Sequence, residues 1–155
     1  NCGEESGASP PPELVAEAAK IRAPIVAMNT LLEQEVAELP EEERAEFCES
    51  LGIEGSAKDR FVRAAYESLN LISFFTAGPK EVRAWTVTRG SNAQQSAGKI
   101  HTDMERGFIR AEVIPNEILI ELGSEKAVKD QGKMRLEGRD YIVQDGDVIV
   151  VRFSA

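Results

Sequence analysis

The apolar residues of this chain follow two different periods. Up to about position 70 they return every three or four residues; beyond it they alternate or run together as strands do. Residues 1–12, NCGEESGASPPP, are small, polar and proline-rich and read as a loop. Pro11-Pro12-Glu13-Leu14 opens a helix, since proline suits a first turn, and Leu14, Val15, Ala18 and Ile21 supply its apolar face. Ala23–Met28, APIVAM, is short, apolar and β-branched, the pattern of a fully buried strand. Asn29 or Thr30 caps the next helix, with Glu33 as the capping-box partner of Thr30, and Leu32, Val36 and Leu39 line one face. Pro40 ends that helix. Another starts at Glu41, where the acidic run Glu41–Glu43 suits the dipole, and Gly52 stops it. Ser56–Leu71 is one more helix, with Phe61, Ala64, Ala65, Ser68 and Leu69 at helical spacing.

From Ser73 the pattern predicts strands at Phe74–Thr76 and Val82–Thr88, joined by an Ala-Gly-Pro-Lys turn. A small helix over Asn92–Lys99, stopped by Gly98, and a helical turn over Asp103–Gly107 lead to a strand at Phe108–Ile114. Short helices follow at Pro115–Glu121 and Ser124–Asp130, then strands at Met134–Leu136, Asp140–Val143 and Asp147–Phe153. Strands wrapped around one short helix form a β-grasp pattern. In the first half, by contrast, one strand among helices can neither pair its backbone nor bury two faces. Residues 1–70 are therefore expected to be the end of a sheet whose other strands lie elsewhere. Exposed strand edges there would favour swapping or association, so an oligomer of such a fragment could be an artefact.

Charge marks the same boundary. Residues 1–70 hold 15 Asp/Glu against 6 Lys/Arg, whereas residues 71–155 hold 12 of each. A strongly acidic first half is a poor partner for phosphate, while the neutral second half can carry a local basic face. No apolar run approaches the ~20 residues of a membrane span. Cys2 and Cys48 make no disulfide framework and no metal motif, and suit free thiols in a cytoplasmic protein. The first residues include no initiating Met and are neither basic nor apolar, which points to a start inside a longer protein rather than to a signal peptide.

The runs FFTAGPKEVRAW (Phe74–Trp85), AGKIHTD (Ala97–Asp103), RGFIRAEVI (Arg106–Ile114) and EGRDYIVQDGDVI (Glu137–Ile149) resemble the C-terminal part of the YchF/Obg-like ATPases. The resemblance covers nearly the full length and is strongest over 70–114 and 132–153. It implies an α+β fold: a ubiquitin-like β-grasp TGS domain over residues 71–155, preceded at 1–70 by the α/β C-terminal remnant of a P-loop NTPase domain. It also implies a parent that binds ATP or GTP with Mg²⁺ and meets the ribosome, RNA or translation-associated proteins. In that family the nucleotide base is read by an Asn-x-x-Glu loop, which falls on Asn1 and Glu4. A second base loop falls on Asn29 and Thr30, where this chain departs from the family's Ser/Cys-Ala pattern. The same two residues also read as a helix cap.

No G-x-x-x-x-G-K-[ST] stretch occurs in the 155 residues, so no phosphate cradle is expected here and no hydrolysis by this chain alone. His101 has no nucleophile beside it and reads as a structural residue of a turn. Trp85, Phe74, Phe75, Phe108, Tyr141 and Phe153 could stack on bases, though a small fold needs most of them in its core. Lys80, Arg83, Arg89, Lys99, Arg106 and Arg110 are the candidates for an RNA- or partner-binding face, among Glu81, Asp103 and Glu105. Asp145-Gly146-Asp147 is a turn, lacking the spaced ligands of a calcium loop. Two other functions compete. A stand-alone TGS docking module with no nucleotide role remains open. A β-grasp sulfur carrier needs a Gly-Gly tail, and this chain ends Phe153-Ser154-Ala155.

Overall fold

The structure, a computed structural model, describes residues 1–2, 9–51, 55–78 and 81–154. It is α+β and divides into two compact units, Asn1–Leu69 and Asn70–Ala155.

The first unit is helical. α1 (Pro12–Ile21) takes proline in its first turn and ends at Arg22, whose left-handed φ of 54° turns the chain away. α2 (Thr30–Glu38) is capped by Asn29, whose Oδ1 accepts from the N–H groups of Leu31 and Leu32 at 3.1 and 3.2 Å. α3 (Glu41–Ser50) starts after Pro40 with three glutamates in its first turn, where unpaired N–H groups favour negative charge. α4 (Ala57–Ser68) opens on a capping box between Ser56 and Asp59, and these hydrogen bonds draw the Asp59 carboxyl below its ordinary value. Arg60 of α4 pairs with Glu33 of α2, and Glu33 also accepts from the Ala57 N–H at 3.1 Å. Burial is thin. Among the described hydrophobic residues of this unit only Val36 and Cys48 are buried, while Leu14, Ile21, Phe61 and Leu69 are each more than half exposed.

The second unit begins at Asn70, in the left-handed region at φ 53°, which asparagine tolerates better than most residues. Its strands are β1 (Leu71–Ala77), β2 (Val82–Thr88), β3 (Phe108–Pro115), β4 (Arg135–Glu137) and β5 (Asp147–Phe153), in the spatial order β2-β1-β5-β3-β4. β1 and β2 form an antiparallel hairpin from Leu71↔Thr88 to Ala77↔Val82. β5 lies parallel to β1 and antiparallel to β3. α5 (Ala93–Ile100) and α6 (Thr102–Arg106) follow the hairpin; α7 (Asn116–Leu122) and α8 (Glu125–Asp130) link β3 to β4. A hairpin, a crossing helix and a central strand parallel to the first make a β-grasp.

Alternation sorts the sheet's two faces. Ile72 and Phe74 of β1, Val87 of β2, Ala111 and Val113 of β3 and Ile149 of β5 pack with Ala93 and Ala97 of α5. Ile114 and Val148 face the other way and meet Val128 of α8, with Phe75, Ile118, Leu122 and Met134 around them. Burying Phe74 and Ile72 fully contributes about 1.5–3 kcal/mol each. The loop before β5 is fastened by acids: Asp145 Oδ1 accepts from the Ser73 N–H at 2.8 Å, and buried Asp147 accepts from the Tyr141 hydroxyl and the Gln144 N–H.

Local departures from the sequence expectations have physical causes. Residues 23–29 form no strand, and Ala23–Ile25 are exposed rather than buried, since no neighbouring strand pairs with them. Asp140–Val143 is not a strand but a single bridge, Asn92↔Ile142. Glu33 makes no capping box. Asn29 is the cap, so Glu33 stands one position too far along and reaches α4 instead. Gly98 does not stop α5, which runs through it to Ile100. A Cβ there would collide with the Glu105 side chain, so the glycine lets α6 approach. The helix expected over Ser56–Leu71 gives way earlier, at Ser68, because Leu71 already pairs with Thr88. Gly52 lies outside the described residues.

Candidate functional site

The candidate residues fall into two groups, one in each unit. In the first, Asn1 Oδ1 accepts from both the N–H and the hydroxyl of Thr30, each at 3.1 Å. The Cys2 N–H donates to the Met28 carbonyl at 2.8 Å. Segments 29 residues apart are thus held side by side at the start of α2. Asn29 joins them in space, but its Oδ1 is committed to the cap. With its oxygen taken, Asn1 keeps an amide NH₂ that can donate to a ligand. Beside Asn1 and Thr30 lies a cleft of about 590 Å³, walled by Val26, Met28, Phe61 and Ala65. Glu4 lies outside the described residues. Among the described residues no group of three or more His, Cys, Asp or Glu could hold a metal ion.

In the second unit the basic candidates do not form one patch. Arg83 and Trp85 sit two apart on β2 and share a face. The guanidinium carbon stands 4.3 Å from the indole centroid, within cation–π range. Trp85 Nε1–H donates to Thr76 Oγ1 at 3.0 Å, which fixes the ring. Lys99 and Arg106 occupy the last turns of α5 and α6, where a cation complements the dipole. Arg89 lies in the turn after β2, its N–H bonded to the Asn70 carbonyl at 2.8 Å. Arg110 stands on β3 on the opposite sheet face from Arg83, in register with Arg152 of β5. Lys80 lies outside the described residues.

Arg152 was invisible as a partner in the sequence, because its neighbour is set by register. Its Nε and Nη2 each donate to the Glu112 carboxylate at 3.0 Å. That hydrogen-bonded pair holds Glu112 below the usual carboxylate range and raises Arg152. His101 joins α5 to α6: its Nδ1 accepts from the Asp103 N–H at 3.1 Å, a capping role with no nucleophile beside it. The aromatics divide. Phe74 and Phe108 are core, Trp85, Phe75 and Tyr141 are half-buried, and Phe153 is exposed. Burial and the hydrogen bond to Asp147 push the Tyr141 hydroxyl up to about 12.

The chain is similar to known proteins. The profile of the YchF-GTPase_C family, described as "Protein of unknown function (DUF933)", matches residues 71–154. The "Ribosome-binding ATPase YchF" of Haemophilus influenzae is 54% identical over 137 residues, which is 88% of this chain and 38% of that protein. "Obg-like ATPase 1" of Homo sapiens is 48% identical over 130 residues, 84% of this chain and 33% of the human protein. Among solved structures, the Schizosaccharomyces pombe YchF GTPase superposes with a TM-score of 0.73 at 31% identity, covering 91% of this chain and 38% of that one. The chain thus spans under two fifths of the length of these relatives. On these grounds the chain belongs to the YchF/Obg-like ATPase family and corresponds to its C-terminal portion.

Proposed function

We propose that this chain is the docking end of a ribosome-associated ATP- or GTP-binding NTPase. Residues 71–155 act as a TGS domain that contacts ribosomal RNA, and residues 1–70 close the parent's nucleotide domain. The observation that carries this reading is the family match over the whole second unit, joined to relatives that bear ribosome-binding names. The first unit supports it from another side. Asn1 and Thr30, which fall on the family's two base loops, are bonded to each other. Asn1, Glu4, Asn29 and Thr30 would form the base end of the site, with the Asn1 amide nitrogen as donor and backbone groups at Asn29–Thr30 beside it. The exposed apolar side chains of α1 and α4 suit a unit that normally packs against more protein.

Phosphate and Mg²⁺ chemistry does not fit the residues present. The sequence has no P-loop motif, the element that cradles the phosphates and places the Mg²⁺-binding hydroxyl. Hydrolysis is therefore assigned to the parent and not to this chain. The test is cosedimentation of the 155-residue chain with ribosomes across a salt series. RNA docking predicts binding that weakens steeply with salt, because each phosphate contact releases counterions. Binding indifferent to salt would instead indicate docking on protein, and absence of binding would refute the proposal.

A further inference from the structure

β1 and β5 share one parallel register position, Phe75↔Val148. Past it β1 enters its hairpin, while β5 continues beside β3 to Phe153. Where they part, a cleft of about 310 Å³ opens, lined by the apolar side chains of Trp85, Ile100 and Met104 and the polar ones of Thr76, Glu81 and Arg83. We propose that this cleft takes one unpaired RNA base, stacked against the Arg83–Trp85 pair. The proposal rests on RNA docking by the second unit and names the contact that makes it.

Three features select a base. The first is the surface. Bases splayed out of a single strand settle on aromatic rings and guanidinium planes. Here a guanidinium already lies 4.3 Å from an indole centroid, and the bond from Trp85 Nε1–H to Thr76 holds the ring in place before any ligand arrives. Because Thr76 Oγ1 accepts that bond, its own proton remains to donate to a ring nitrogen or carbonyl of the base. The second is size. The volume lies at the lower end for small-ligand sites, room for one heterocycle and not for a run of chain.

The third is charge. Glu81 lines the cleft, and its carboxylate repels phosphate while accepting from an exocyclic amine. The base therefore enters and the backbone stays outside. Lys99 is exposed beside Ile100 on α5 and supplies a cation near the cleft wall for a flanking phosphate. Of the nearby acids, Asp103 faces His101 at 3.5 Å, and Glu105 is half-buried against Gly98. An apolar peptide side chain is the rival occupant. It would use Ile100 and Met104 but leave the stacked cation without a role.

Trp85 is the chain's single tryptophan, so its emission reports from the cleft. The 155-residue chain is titrated with an adenosine RNA hexamer, with an abasic RNA hexamer of equal charge, and with N-acetylleucinamide. The adenosine hexamer is expected to quench Trp85 and to bind at least about tenfold more tightly than the abasic one. Arg83→Lys, checked for fold by circular dichroism, keeps the charge but not the planar stacking surface and is expected to remove most of that difference; Arg83→Ala is expected to remove it as well and to weaken binding of both hexamers through the lost cation. Equal affinity for the two hexamers, or quenching by N-acetylleucinamide that the adenosine hexamer does not relieve, would overturn the base cleft. Ribosome cosedimentation of the same proteins separates the two proposals. If the chain sediments but the adenosine hexamer leaves Trp85 unquenched, the cleft assignment fails and RNA docking stands. If the unsubstituted chain does not sediment, docking fails and the cleft falls with it.

Discussion

At the scale of the residue, one carboxylate and one tyrosine shape how the second unit responds to pH. The Tyr141 hydroxyl, pushed up to about 12 by burial and by its bond to Asp147, holds its proton more tightly in the folded state than in the unfolded one. Its contribution is complete below pH 10 and is lost as pH rises towards 12. The loss is about 1–2 kcal/mol once solvent screening at a partly exposed ring is allowed for. Tyr141→Phe is expected to flatten the alkaline arm of a stability–pH curve measured by urea unfolding; an unchanged arm would contradict this. Glu112 runs the opposite way. Its carboxyl is depressed by the Arg152 hydrogen bonds, so its contribution is present above the ordinary glutamate value and disappears as pH falls through the lower, folded one. A Glu112→Gln, Arg152→Ala double-mutant cycle at pH 7 should give a small favourable coupling that shrinks on acidification, and a coupling unchanged at low pH would contradict it.

At the scale of the element, junctions between short helices carry more than helix propensity does. Asn92 and Gln95 form a capping box at the start of α5, with bonds of 2.8 and 3.0 Å. Asn92→Ala is expected to cost about 1 kcal/mol in urea unfolding. At Gly107 a Cβ would run into the Ser154 carbonyl, whose residue also donates its N–H to the Gly107 carbonyl at 2.9 Å. Gly107→Ala should destabilise by about 1–3 kcal/mol through overpacking, and a neutral result would mean the closing strand yields there. These junctions also mark what the sequence could reveal. The strand at Asp147–Phe153 and the helix starts at Ser56 and Asn92 are local patterns, and local patterns are legible; of Leu71–Ala77 only the middle, Phe74–Thr76, is. Register is not: the pairing of Arg152 with Glu112 depends on 40 residues of intervening chain. Gly98 looked like a stop because its contact with Glu105 belongs to the next helix. APIVAM has strand composition, yet composition supplies no neighbour to pair with. In the candidate sites, Asn1 and Thr30 could be named from the resemblance, whereas the Arg83–Trp85 stack needed the strand's face to be known.

At the scale of the whole molecule, the two units differ in how they are held together. Asn70–Ala155 has a continuous core on both sheet faces. Among the described hydrophobic residues Asn1–Leu69 buries only Val36 and Cys48. Residues 70–155 expressed alone are therefore expected to unfold at the same urea midpoint as the corresponding transition of the full chain. A large fall would show that the first unit supplies part of that core. The division of labour follows the same line. Purified chain is expected to show no ATP or GTP hydrolysis above a blank, and turnover that survives repurification would place the phosphate chemistry here after all. If docking belongs to the second unit, residues 70–155 alone and the full chain should cosediment with ribosomes equally and with the same sensitivity to salt. Binding by the full chain that the 70–155 piece lacks, in a sample shown to be folded, would contradict it.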